Sequence, residues 1–193
     1  MSYKQLFKAS SLAACLSLVL VPFSGALAAE YGTVLPDEST IQFGYQQMGV
    51  NMNGKFTRFE GDLSFDPGNP EDGQASFQVD LSSVDTGTSD GNDEVVGKDW
   101  FNVDAHPTAS FESDKISVTG EGQYDVSGVL TIKGIEQDVT VPAVFHEEAG
   151  KGIFEAEFVI QRGDYSIGEG SWSTFDIVAN EVTINVQIAA EAN

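Results

Sequence analysis

Cysteine is nearly missing from this 193-residue chain, and the single one, Cys15, lies close to the N-terminus. Beyond that segment neither a disulfide nor thiol chemistry is available, so the core alone must hold the fold. Histidine is scarce too, at two residues, His106 and His146. A zinc site would then be built mainly from carboxylates, which is unusual for zinc. Basic residues number nine against thirty acids, for a net charge of −21. Nucleic-acid binding needs a basic footprint and is excluded, and docking on anionic lipid is disfavoured. The charge itself is explained by solubility or salty surroundings.

Long apolar runs are missing except at the start. Lys4 and Lys8 precede an uncharged stretch from Ala9 to Val21, and Ala26-Leu27-Ala28 has the small-x-small form of a cleavage site. Residues 1–28 therefore read as a secretory leader rather than a fold element, and the stretch is too short for a membrane span. Export to the periplasm is expected. Leu12-Ala13-Ala14-Cys15 has the look of a lipoprotein box, but the run between Lys8 and Cys15 is six residues. That is shorter than an apolar region of about 7–15 residues. Removing 28 of 193 residues leaves 165, enough for one domain with a sizeable core, 29–193. The leader holds two of the nine basic residues and no acid, so the remainder carries 7 minus 30, or −23.

What is present is β pattern. Period-two alternation runs through 40–45, 59–65, 75–81, 126–132, 154–160 and 182–188. One apolar and one wet face per strand is the mark of antiparallel sheet. Asp66–Pro70 and Glu148–Gly152 read as turns, and Lys133–Gln137 as a hairpin loop into a strand over Val139–Val144. Between Ser89 and Phe101 the alternation stops. Val95, Val96 and Trp100 fall at helical spacing after the cap-rich Thr88-Ser89-Asp90, which predicts a short helix anchored by Trp100-Phe101 across an end or seam. Gly61 and Gly128 sit in similar apolar-x-Gly-x-Leu segments, where bent strands would need room. The all-β set leaves a sandwich or a closed barrel. Thirteen phenylalanines can fill a core or line a pocket, and composition favours core.

Chemistry-bearing constellations are thin. The acidic stretch Asp85, Asp90, Asn92, Asp93, Glu94 lacks EF-hand spacing, so a solvated loop is favoured over a calcium-binding structural module. No Gly-x-Ser-x-Gly elbow is present. Paired carboxylates of a hydrolase carry no weight among thirty acids, which guarantee chance pairs.

Several segments carry a family likeness. They are Gly54-Lys55-Phe56-Thr57-Arg58-Phe59-Glu60-Gly61, Ser83-Val84-Asp85-Thr86, Trp100-Phe101-Asn102 with Pro107 and Phe111, Gly128–Gly134, and Arg162-Gly163-Asp164-Tyr165-Ser166-Ile167-Gly168. In order and spacing they resemble the YceI-like family of exported polyisoprenoid-binding proteins. The resemblance implies an antiparallel, lipocalin-like β-barrel of about eight strands with one short helix. It also implies a tunnel for a long isoprenoid tail, such as that of a quinone or polyprenyl phosphate, no enzymatic activity, no cofactor or metal, and a homodimer by analogy. Phe43, Tyr45, Phe59, Phe111, Phe158 and Ile160 are the first candidates to line it, then Trp100, Phe101, Tyr165 and Trp172. Core packing explains each as well as ligand contact does. Arg58, Arg162 and Asp164 are candidates for the mouth, though an Arg162–Asp164 ion pair fixing the loop is the stronger reading. Many members carry His-Ser where Glu38-Ser39 stands, and a histidine near Gln47. Where those histidines hold a head group, their absence implies a different, less anionic head.

The leader is tested by N-terminal sequencing of the exported protein. It should begin at Ala29 or one residue later; a chain retaining 1–28, or acylated on Cys15, would contradict the reading.

Overall fold

A computed structural model describes residues 29–193; the expected leader, 1–28, lies outside the described residues. The alternating segments form antiparallel strands: β1 (Tyr31–Val34), β2 (Thr40–Gln47), β3 (Val50–Phe56), β4 (Phe59–Ser64), β5 (Gln74–Asp80), β6 (Val84–Asp85), β7 (Thr108–Gly120), β8 (Gln123–Ile132), β9 (Ile135–Glu148), β10 (Lys151–Gln161) and β11 (Val178–Ala192). They join one sheet in the order β4-β5-β7-β8-β9-β10-β11-β2-β3-β6, with β1 added to β11.

Eleven strands stand where about eight were expected, and two breaks and one addition explain the difference. Only Thr57 and Arg58 separate β3 from β4, and only Leu81–Ser83 separate β5 from β6. β3 pairs with β6, and β4 pairs with β5. The two broken strands thus run side by side as one bent hairpin. Ser83 holds the bend. Its Oγ accepts the N–H of Thr57 at 3.2 Å and of Arg58 at 3.0 Å, and donates to the Asp80 carbonyl at 2.7 Å. Because β3 also pairs with β2, the pairings return on themselves and the sheet curls into a barrel. The β1 strand straps it shut, with Tyr31 exchanging backbone bonds with Phe65 at 2.8 and 3.0 Å.

Hairpins here are tight. Met48-Gly49, Lys133-Gly134 and Ala149-Gly150 all have positive φ at both residues. Two-residue turns of that hand match the twist of antiparallel strands. The expected five-residue loop at Lys133 is therefore two residues, with Ile132 directly opposite Ile135. The helix is shorter than expected as well. α1 spans Ser89–Val95, with Thr88 accepting the Gly91 N–H at its start. Turns with no further α-helix carry the chain on to Trp100 and Phe101.

β7 shows why its alternation is hard to read. Phe111 and Ser113 share an inward face, yet the next inward residue is Ile116, because the register slips between Ser113 and Lys115. A bulge of this kind turns the strand and flips its faces. Gly128 stands opposite it. A Cβ there would lie 2.2 Å from the Glu112 carbonyl oxygen. Backbone on both strands leaves little room to adjust, so Gly128→Ala should cost about 1–3 kcal/mol. Urea unfolding checks this; an unchanged midpoint would show that the bulge yields freely.

Candidate functional site

Two dense clusters occupy the barrel's ends. One gathers Tyr31, Phe65, Ile116, Tyr124 and Ala190, with Phe145 and Phe154 packed against it. Here Phe65 lies 5.1 Å from the Phe145 ring and 5.1 Å from the Phe154 ring. The other gathers Trp100, Ile132, Ile160, Tyr165, Ile167 and Val178. Between them lies a cavity of about 670 Å³. Phe43, Phe56, Phe77, Phe111 and Phe158 point into the barrel yet are only half-buried. An inward phenylalanine in a filled core is fully covered. Partial exposure on the inner face means that the space in front of it is open, which separates pocket from core where composition could not.

Eight of the ten expected lining residues border this cavity: Phe43, Tyr45, Trp100, Phe101, Phe111, Phe158, Ile160 and Trp172. Phe59 and Tyr165 do not. Phe59 is half-buried on the face it shares with cavity-lining Val79 but does not itself border the cavity, and Tyr165 is packed into the end cluster. Burial, reinforced by Asp164, pushes the Tyr165 hydroxyl up to about 12. Burial also raises Tyr45. Phe56, Phe77, Phe154 and Met52 line the cavity without having been singled out. Of these, Phe77 sits in an alternating run and was legible. Met52 and Phe56 sit in β3, whose asparagines and lysine obscure its pattern.

The expected mouth residues need correction. Arg58 pairs with Asp80 at 2.8 Å on the outside of the bend and does not border the cavity. Asp164 is exposed, and Arg162 makes no ion pair with it. Instead Arg162 is 2% exposed and borders the cavity's end wall. Its Nη1 donates to the carbonyls of Ile167 at 2.6 Å and Gly168 at 3.2 Å, and its Nη2 to Trp172 at 2.8 Å, Thr174 at 3.2 Å and Val178 at 2.9 Å. Nε donates to Ala179 at 3.1 Å. The guanidinium stacks 5.5 Å from Trp100 and 4.8 Å from Phe175. Burial lowers its pKa, though an arginine keeps its proton in proteins. Gly168 is a required neighbour. Its φ is +80°, and a Cβ would meet Nη1 at 2.2 Å.

The same loop is tied to the helix side. Gly168 and Glu169 N–H groups donate to the Asp99 carbonyl at 2.8 and 2.7 Å. Trp172 Nε1 donates to Glu94 at 2.8 Å, and buried Lys133 bonds the Ser166 carbonyl at 2.6 Å and Glu169 at 2.7 Å. The cavity's exposed border here is Thr88, Asp90 and Glu94, which marks its mouth at α1. The acidic loop before α1 is occupied locally. Asp85 accepts the Gly87 N–H, and Asn92 accepts from Thr86 N–H and Oγ1 at 2.7 and 2.8 Å. Glu38 and Ser39 lie away from the cavity. Ser39 bonds the Leu35 carbonyl and Ala189 N–H, and Glu38 pairs with Lys151. Among the described residues no three His, Cys, Asp or Glu side chains converge on a metal-sized point. No helix there is long and apolar enough to cross a membrane.

Arg162 generates a prediction. A lysine cannot reproduce a planar fork with six acceptors. Arg162→Lys should lower stability by about 3–5 kcal/mol by stranding buried carbonyls and leaving a poorly satisfied charge. Denaturant unfolding measures it; a loss under about 1 kcal/mol would show that the loop does not depend on the fork.

Comparison with known proteins agrees with this geometry. A YceI-like domain model matches residues 33–190. A UPF0312 protein of Ectopseudomonas mendocina is 34% identical over 122 residues, 62% of this chain and 64% of the relative. The crystal structure of Burkholderia cenocepacia BcnA superposes with a TM-score of 0.79 at 36% identity, covering 81% of this chain and 99% of that one. A domain from Saccharophagus degradans, described as polyisoprenoid-binding, superposes with a TM-score of 0.67 at 16% identity, covering 86% of this chain and 99% of that one, and so shares the fold. On the extent of the domain match, the chain belongs to the YceI-like domain family.

Proposed function

We propose that this is an exported, non-enzymatic binding or carrier protein that holds a lipid with an isoprenoid tail inside the barrel. The observation that carries the reading is the apolar cavity walled by inward, half-exposed phenylalanines. The polyisoprenoid-binding description of the Saccharophagus domain supports the choice of tail. The leader-like N-terminus supports export to the periplasm.

Size and energy fit together. At roughly 30 Å³ per heavy atom, the share a water takes in liquid, a five-carbon isoprene unit fills about 150 Å³. The cavity of about 670 Å³ then holds about four such units. Burying one unit contributes roughly 3–4 kcal/mol at about 0.8 kcal/mol per carbon group. Association costs on the order of 4–15 kcal/mol, which a few units offset without help from the head.

A series of prenyl alcohols of increasing length provides the test, with tryptophan fluorescence as readout. Affinity should rise steeply with each unit and level off near four, since further units would protrude into water. Binding of a tailless quinone as tightly as a tailed one would overturn the proposal.

A further inference from the structure

The charged groups at the mouth say something about the head group that the tail argument does not. This inference rests on the lipid-binding reading. Four charged residues border the cavity: Asp90, Glu94, Glu155 and Arg162. Glu155 stands on the outer face of β10, between inward Phe154 and Ala156. Arg162 is the one cation among them, and its N–H groups are already taken by carbonyls of Ile167, Gly168, Trp172, Thr174, Val178 and Ala179. It has no donor left for a phosphate. At the exposed rim remain two carboxylates, Asp90 and Glu94, flanked by Thr86 and Thr88. Glu94 is fixed in place by the Trp172 indole.

The polar end of the cavity thus presents negative charge at its rim and no free cation.

We infer that the cavity selects lipids whose head is uncharged and disfavours lipid phosphates. Asp90 and Glu94 set this discrimination. A phosphate monoester carries nearly two negative charges at neutral pH. Beside two carboxylates, and with no free cationic donor facing it, it should bind at least about tenfold more weakly than a neutral head on the same tail. Salt screens the rim and should narrow that gap.

Geranylgeraniol and geranylgeranyl monophosphate share a tail that fits the cavity and differ only in the phosphate. Their affinities for the full protein should differ at least about tenfold at low ionic strength, the alcohol binding more tightly. The difference should shrink in molar salt and in the Asp90→Asn/Glu94→Gln double variant, where the new amide oxygen still accepts the Trp172 N–H. The salt titration uses unaltered protein, so it stands even if the variant folds poorly. Equal or tighter binding of the phosphate at low salt would overturn the inference, as would a gap that neither salt nor the variant changes. Failure of both lipids to bind would remove the lipid-binding reading, and this inference with it.

Discussion

A single buried guanidinium organises the end of the barrel. Arg162 has no carboxylate partner; carbonyl dipoles of the loop that folds back over it, and the faces of Trp100 and Phe175, surround its charge. A buried charge is tolerable when every donor is satisfied and ruinous when one is not. The loop from Ile167 to Ala179 therefore has one arrangement. In it Trp172 reaches Glu94, Gly168 reaches the Asp99 carbonyl, and Trp100 is clamped between Arg162 and Trp172. The wall so formed keeps the tunnel's upper end in shape without filling it.

The opposite end is closed by apolar packing instead. Phe65 and its aromatic neighbours plug the base, and β1 straps the plug in place. Tyr31 donates to Glu147 at 2.6 Å, and its hydroxyl is pushed up to about 12 by burial and by that carboxylate. The division of labour is economical. Stability comes from two dense ends and a continuous hydrogen-bonded wall, so the middle can stay open, where a filled core would otherwise be needed.

Much of this was legible before the fold. The inward sets of β2, β5, β8, β10 and β11 follow directly from alternation, and most expected lining residues do face the cavity. The rest was obscured for physical reasons. β3 carries Asn51, Asn53 and Lys55 on its outer face and reads as loop. The β7 bulge reverses parity midway, and the Ser83 bend breaks two strands without a proline or a run of glycines to announce it. Family motifs were legible for another reason. Ser83, Arg162, Tyr165 and Gly168 mark joints of the scaffold, so their role is to shape the cavity. Arg162 does fix its loop, as the stronger reading of the sequence had it, but through backbone carbonyls rather than through Asp164. Nothing in spacing reveals that a guanidinium will be saturated by six carbonyls five to seventeen residues away.

The central claim, an open barrel kept for a lipid tail, is tested most directly by native mass spectrometry of the protein isolated gently from the cells that make it. A single noncovalent adduct with the mass of an isoprenoid lipid, lost on extraction into organic solvent, is the predicted result. Protein that emerges bare, and takes up no prenyl lipid when one is supplied, would contradict it.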